Sequence, residues 1–209
     1  MALETTNLQF SYHAEKAFQF PDIKIASADA ALILGPSGSG KTTLLNLIAG
    51  LQKASVGEVR LGNQSLQALE GRNLERFRAK HLGLIFQKSL FLPYLSMLDN
   101  MKMIYSIQNR KADKNEIELL FSELNISHIL YKKAASCSIG EQQRAAIARA
   151  LLQKPSLILA DEPTAALDDA NAEKVGELLL QMSQSQKTAL LVVTHDARLK
   201  KLISKSYQL

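Results

Sequence analysis

Gly35-Pro36-Ser37-Gly38-Ser39-Gly40-Lys41-Thr42 follows the spacing G-x-x-x-x-G-K-[ST], between a strand-like run, Ala31 to Leu34, and a helix-like run, Thr43 to Ile48. Glycines at these positions let the chain turn tightly enough for successive N–H groups to face phosphate oxygens. The helix that follows offers the positive end of its dipole. Lys41 would neutralise β and γ oxygens, and the Thr42 hydroxyl would ligate Mg²⁺, a hard cation that takes oxygen donors. The competing reading is a surface glycine turn followed by an unrelated lysine. Taken alone the motif admits kinases, GTPases, helicases and transport ATPases.

Two further strand ends carry reactive groups. Leu157-Ile158-Leu159-Ala160 runs into Asp161-Glu162, so an apolar strand delivers two acids at the carboxyl edge of a sheet, where open α/β folds bind ligands. Neighbouring residues on a strand face opposite ways, which lets Asp161 hold the metal shell while Glu162 addresses the attacking water. The alternative is an acidic turn closed by Pro163-Thr164. Val192-Val193-Thr194-His195 repeats the design, and His195 would contact the γ-phosphate or orient the water.

The elements that must position these groups read as α/β. Apolar runs at Ala30–Leu34, Leu82–Phe86, Leu157–Ala160 and Ala189–Val193 predict buried strands of a largely parallel sheet. Ile117, Leu120, Phe121, Leu124 and Val175, Leu178, Leu179, Met182 each follow i, i+3, i+4, i+7 and predict one-sided helices. Leu3–Tyr12, Ala17–Ile25 and Gly57–Leu61 predict a small antiparallel sheet, and about Pro93 to Leu130 reads as helical. With 209 residues, 46% hydrophobic and 22% charged, the chain buries a core of its own and is read as one domain, 1–209. The net charge of +5 is scattered rather than gathered in blocks, so no nucleic-acid partner is expected. Cys137 alone offers neither a disulfide framework nor a cysteine metal cluster. The N-terminus lacks the apolar core of a signal peptide, and no run reaches the length of a membrane span.

Cys137-Ser138-Ile139-Gly140-Glu141-Gln142-Gln143-Arg144, ahead of a helix-like run from Ala145 to Leu152, resembles the ABC signature L-S-G-G-Q or L-S-G-G-E-Q. With it the whole chain resembles an ABC ATPase. Tyr12 is similar to the adenine-stacking aromatic, Gln87 to the Q-loop, Ala166-Leu167-Asp168 to the D-loop and His195 to the H-switch, all in family order. The resemblance implies a P-loop NTPase fold: a RecA-like core, an N-terminal antiparallel β subdomain and a helical signature subdomain inserted at about 88–150. It implies ATP and Mg²⁺ as ligands, with Gly35 to Thr43 and Tyr12 on the nucleotide. Lys41, Gln87, Glu162 and His195 would be catalytic, and Thr42, Gln87 and Asp161 would serve the metal. ATP would lie between two copies, so that Ser138, Gly140, Glu141 and Gln142 act in trans on a partner's γ-phosphate, with Asp168 near the same interface.

The implied protein is a homodimer under a separate integral membrane permease, cytoplasmic and peripheral on the inner face of the membrane. Glu141 and the run Phe86 to Pro93 followed by Leu98-Asp99-Asn100 resemble the lipoprotein-releasing and macrolide-export subgroup. Phe91, Leu92, Tyr94 and Leu95 would then line a groove for the permease's helix, or else only pack the helical subdomain. A soluble or mechanical-signalling ATPase and a clamp that binds ATP without useful turnover are the alternatives. Cys137 and Ile139 depart from the signature; a β-branched Ile139 where glycine adopts positive φ predicts slower closure or turnover.

Overall fold

The computed structural model describes residues 2–12 and 17–209. The first half of the chain forms β1 (Leu3–Ser11), β2 (Ala17–Gln19), β3 (Lys24–Ile25), β4 (Ala30–Leu34), α1 (Lys41–Ile48), β5 (Val56–Leu61), β6 (Gln64–Ser65), α2 (Gly71–His81) and β7 (Leu82–Ile85). Then come α3 (Met97–Ile107), α4 (Lys114–Glu123), α5 (Ile139–Leu152), β8 (Leu157–Asp161), α6 (Asp169–Ser185), β9 (Ala189–Val193), α7 (Ala197–Leu202) and β10 (Ser206–Gln208).

The apolar runs are the strands of one parallel sheet, ordered β10-β4-β9-β8-β7. Because side chains alternate across a strand, each run feeds two cores. Leu32, Ile158, Ala160, Leu190 and Val192 face the layer of α3 to α6. Ala31, Ile33, Leu157, Leu159, Leu191 and Val193 face α1 and a second, antiparallel sheet. Burial on both sides is why these strands read as unbroken apolar runs rather than as alternating ones. In the antiparallel sheet β1 pairs with β2, β3 and β5, and β5 with β6. The stretch Ala17–Ile25, expected as one strand, is two, divided around Pro21, which lacks the N–H a ladder needs.

Both periodic segments are helices. Ile117, Leu120 and Phe121 are buried on α4, and Val175 and Leu179 on α6, with Leu178 and Met182 half-buried. Ser96 and Asp113 start α3 and α4 by accepting first-turn N–H groups. Tyr105, buried on α3, donates to Glu116 of α4 at 2.7 Å, and burial pushes its phenol well up. Two elements have no apolar run to announce them. No residue of α2 is fully buried, and β10 is held by its parallel pairing to β4 and by Tyr207, whose hydroxyl donates to the Lys24 carbonyl.

The pairing of β1 with β5 shifts register between Thr6 and Gln9, where Asn7 has φ 50°. Gly57 faces this bulge with φ 92°, and a Cβ there would sit 2.4 Å from the Asn7 carbonyl oxygen. Gly57→Ala is therefore expected to cost at least about 1 kcal/mol, read as a fall of about 2–4 °C in the thermal midpoint. An unchanged midpoint would show that the bulge relaxes freely.

Candidate functional site

The parallel register sets the site. Ile33 lies beside Val193, Val193 beside Asp161, and Ile85 beside Ala160. The segments that follow β4, β9, β8 and β7 therefore leave the sheet together at one edge, and they carry the phosphate loop, Thr194-His195, Asp161-Glu162 and Gln87.

In the loop, Gly38 and Gly40 have φ of 78° and 96°, a region closed to most side chains. A Cβ on Gly40 would meet the Phe18 ring at 2.8 Å, and one on Gly35 would meet Ser39 Oγ at 2.8 Å. Pro36, Ser37 and Gly38 are exposed along the turn. Gly40 is the N-cap of α1 and brings no side chain to its first-turn N–H groups, which stay open to an anion. Lys41 Nζ lies across the loop and donates to the Gly35 and Pro36 carbonyls at 2.8 Å each. Ser39 Oγ is buried with no hydrogen-bond partner among the described residues, a polar atom that a phosphate oxygen would satisfy. These groups fit a phosphate chain.

Thr42 Oγ1 donates to Asp161 Oδ2 at 3.0 Å. Burial pushes the Asp161 carboxyl up, while the Thr42 hydroxyl and the Lys41 charge pull the other way. A carboxylate buried beyond what its neighbours compensate, beside a hydroxyl, is the hard-oxygen pair that suits Mg²⁺. Gln87 is exposed in the bend two residues beyond Ile85, past the end of β7, the strand that pairs with β8.

Glu162 corrects one expectation. It does not face away from Asp161 by strand alternation; β8 ends at Asp161, and Glu162 sits in a left-handed turn with φ 48°, its N–H donating to the Val193 carbonyl at 2.9 Å. Its carboxylate accepts from Thr194 Oγ1 at 3.2 Å and from the His195 N–H at 3.3 Å, and His195 Nε2 lies 3.8 Å from Oε1. Acid and histidine form one cluster. Thr194, fully buried, and Asp196 had no role assigned from sequence. Thr164 Oγ1 donates to Asp196 at 2.7 Å, tying the turn after Glu162 to the segment after His195. The Arg198 guanidinium holds the Asp196 carboxyl down at about 2. Thr194 is legible in hindsight as the polar end of a buried strand; Asp196 carries no such signal.

Tyr12 is half in solvent, 53% exposed, with its hydroxyl 3.1 Å from Thr43 Oγ1 and accepting from Gln52 Nε2 at 3.3 Å. Its ring packs edge-on to Phe10, centroids 4.7 Å apart. Phe18 is edge-on to it as well, at 6.3 Å, so a partly exposed aromatic ring stands beside the helix that follows the phosphate loop. The Thr43 side chain is buried beneath Tyr12.

The signature is built differently from its sequence reading. Helix α5 starts at Ile139, not at Ala145, and Ser138 is its N-cap in a capping box. The Glu141 N–H donates to Ser138 Oγ at 3.3 Å, and the Ser138 N–H to Glu141 Oε2 at 2.7 Å. His128 Nε2 lies 2.6 Å from the other Glu141 oxygen, and Gln142 donates to the Ala134 and Cys137 carbonyls at 3.1 Å each. Glu141 and Gln142 thus spend their side chains holding their own loop, while Ser138 stays exposed. Ile139 is helical rather than in the positive-φ region, so the conformational argument for slow turnover fails; its side chain is 73% exposed and costs the backbone nothing. Gly140 lies close to the segment after Glu162: a Cβ there would be 3.3 Å from the Ala166 carbonyl oxygen, a tight contact. Asp168, two residues on, N-caps α6 by accepting from Asn171.

The ABC transporter family profile matches residues 19–165. Over the whole chain and 94% of the relative's length, the sequence is 37% identical to the lipoprotein-releasing system ATP-binding protein LolD of Hydrogenovibrio crunogenus. It is 38% identical to the uncharacterized ABC transporter ATP-binding protein YvcR of Bacillus subtilis, over 93% of this chain and 78% of that one. The fold matches a dimeric, post-hydrolysis structure of the ATP-binding cassette MJ0796 bound to ADP and Pi, with TM-score 0.91 and 30% identity, over 99% of this chain and 94% of that one.

The capping box makes a pH prediction. The Ser138 N–H, then the His128 contact, hold the Glu141 carboxyl at about 2 against an ordinary value of 4.5. The folded value lies below the unfolded one, so the stabilisation is whole above about pH 4.5 and is lost as pH falls through about 2. Glu141→Gln should lower the thermal midpoint at neutral pH, with the gap to the wild type closing across that acid window. A gap that persists at the acid end would contradict the assignment.

Proposed function

The chain belongs to the ABC transporter family as an ATP-binding, ATP-hydrolysing subunit, and we propose that it works as a head-to-tail pair beneath a separate membrane permease. Residues 1–209 act as one ABC ATPase domain, with the helical subdomain at about 88–150. The observation that carries this reading is the division of the site within one chain. Hydrogen bonds join the phosphate loop to Asp161 and the signature to Ala134 and His128, and none among the described residues joins loop to signature. Each is half of a phosphate site, and two copies supply two whole ones.

In such a pair Lys41 exchanges the Gly35 and Pro36 carbonyls for β and γ oxygens, and the loop N–H groups take the rest of the phosphate chain. Tyr12 offers its exposed ring to the adenine. Thr42, Asp161 and Gln87 would hold Mg²⁺, which would neutralise phosphate charge. Glu162 accepts the proton of the attacking water, and His195, paired to it, faces the γ-phosphate. From the partner copy, the Ser138 hydroxyl and the open N–H groups of Ile139 and Gly140 at the start of α5 cap the same phosphate, while Glu141 and Gln142 hold the loop in place. Asp168, adjoining Gly140 through Ala166, lines the contact between copies.

The permease meets a groove of about 540 Å³ between α2, β7, α3 and α5, lined by Leu84, Phe91, Leu92, Ile104 and Ile107 among others. Of the four apolar residues expected there, Phe91 and Leu92 line it, while Tyr94, 84% exposed, and Leu95 stand off its wall. An apolar cleft of this kind suits a partner helix. The likeness to lipoprotein-releasing ATPases supports a permease of that kind, with this subunit peripheral on the inner, cytoplasmic face of the membrane. Among the described residues no helix is long and apolar enough to cross a membrane.

Glu162→Gln is expected to slow hydrolysis by about 10²–10⁴-fold while an ATP-loaded dimer accumulates on size-exclusion chromatography. A rate within about twofold of wild type would remove Glu162 from the chemistry.

A further inference from the structure

Gln143 is 1% exposed, a buried amide in the second turn of α5, five residues past Ser138. Its Nε2 donates to the Phe86 carbonyl at 3.4 Å and its Oε1 accepts from Ser89 Oγ at 3.1 Å. The two contacts fall on either side of Gln87. Further along the same helix, Arg149 donates to the Leu90 carbonyl and stacks over the Phe91 ring, 4.7 Å from its centroid. From the other wall of the groove, buried Asn100 of α3 binds both the N–H and the carbonyl of Leu92, at 2.8 and 3.1 Å. The segment 86–92 carries Gln87 at one end and the groove lining at the other, and α5 grips it at both.

A buried carbonyl needs one donor, and many side chains would meet that need. Gln143 does more, since both ends of its amide are used and both on the same segment. The helix itself is 14 residues long and hydrogen-bonded throughout, so a displacement of its N-terminus is carried along it rather than absorbed.

We propose that Gln143 is a positioning residue that locks the Gln87 segment to the signature helix, so that seating Ser138 on a partner's phosphate and shaping the groove are one movement. This rests on the head-to-tail reading above. Gln143 touches neither nucleotide nor metal; it acts through Gln87 and Ser138.

The test needs only the protein and Mg-ATP. In a Glu162→Gln background, hydrogen–deuterium exchange of the 86–92 amides is followed with and without ATP. With Gln143 in place, dimer formation should slow exchange across that segment by about tenfold, the effect of one secured hydrogen bond. Gln143→Met, which keeps volume and chain shape but removes both bonds, should reduce the ATP-dependent change to less than about twofold in the dimer. Ser89→Ala removes one arm and leaves α5 untouched, and should give an intermediate loss. Unaltered protection in the Gln143→Met or the Ser89→Ala dimer overturns the proposal, as does a lowered thermal midpoint with full ATP-dependent protection, which marks a purely structural bond. If Glu162→Gln alone forms no ATP-dependent dimer, the functional reading falls and takes this one with it.

Discussion

The parallel register of β4, β9, β8 and β7 is the constraint on which the catalytic half of the site depends. A polyphosphate and a metal gather several charges within a few ångströms, and the groups that answer them must come from distant stretches of chain. Lys41, Gln87, Asp161 and His195 span most of the sequence, yet each lies at or beyond the end of a strand that ends nearly level with its neighbour. Slipping one strand by one residue would exchange its two faces between the cores and also shift the polar group at its end along the edge. Burial on both faces forbids that slip, so the packing of the sheet and the assembly of the site are secured by the same side chains.

The other half of the site rests on a helix N-terminus. The Ser138 and Glu141 box satisfies two backbone donors that α5 would otherwise leave bare, and His128 braces the carboxylate from outside. This explains why an isoleucine is accepted at position 139. The first helical position asks for helical φ and an outward side chain, and Ile139 supplies both. Gly140, by contrast, lies against Ala166, where a Cβ would make a tight contact with the loop that leads to Asp168.

Legibility in the sequence followed physical signal. Strands buried on two faces announce themselves as apolar runs, and β4 and β9 begin and end where those runs do. The helix α2 has only a few half-buried apolar residues and β10 only Tyr207, so periodicity had little to register. The phosphate loop was plain because its glycines are required by conformation. Helix α5 starts six residues before Ala145, because Ser138-x-x-Glu141 is a capping box as well as part of the signature. Glu162 was assigned to the right edge for an incomplete reason, since the turn at φ 48° decides its direction. Gln143 and Asp196 act through long-range hydrogen bonds, which no local pattern encodes.

Sharing of one phosphate between Lys41 of one copy and Ser138 of the other is the central claim, and mixing two defective chains tests it directly. Lys41→Ala and Ser138→Ala each damage both sites of their own homodimer, whereas a mixed dimer carries both lesions in one site and leaves the other whole. The account predicts that the two inactive proteins, combined, regain ATP hydrolysis. A mixture as inactive as its components would mean that loop and signature serve the same nucleotide within one chain.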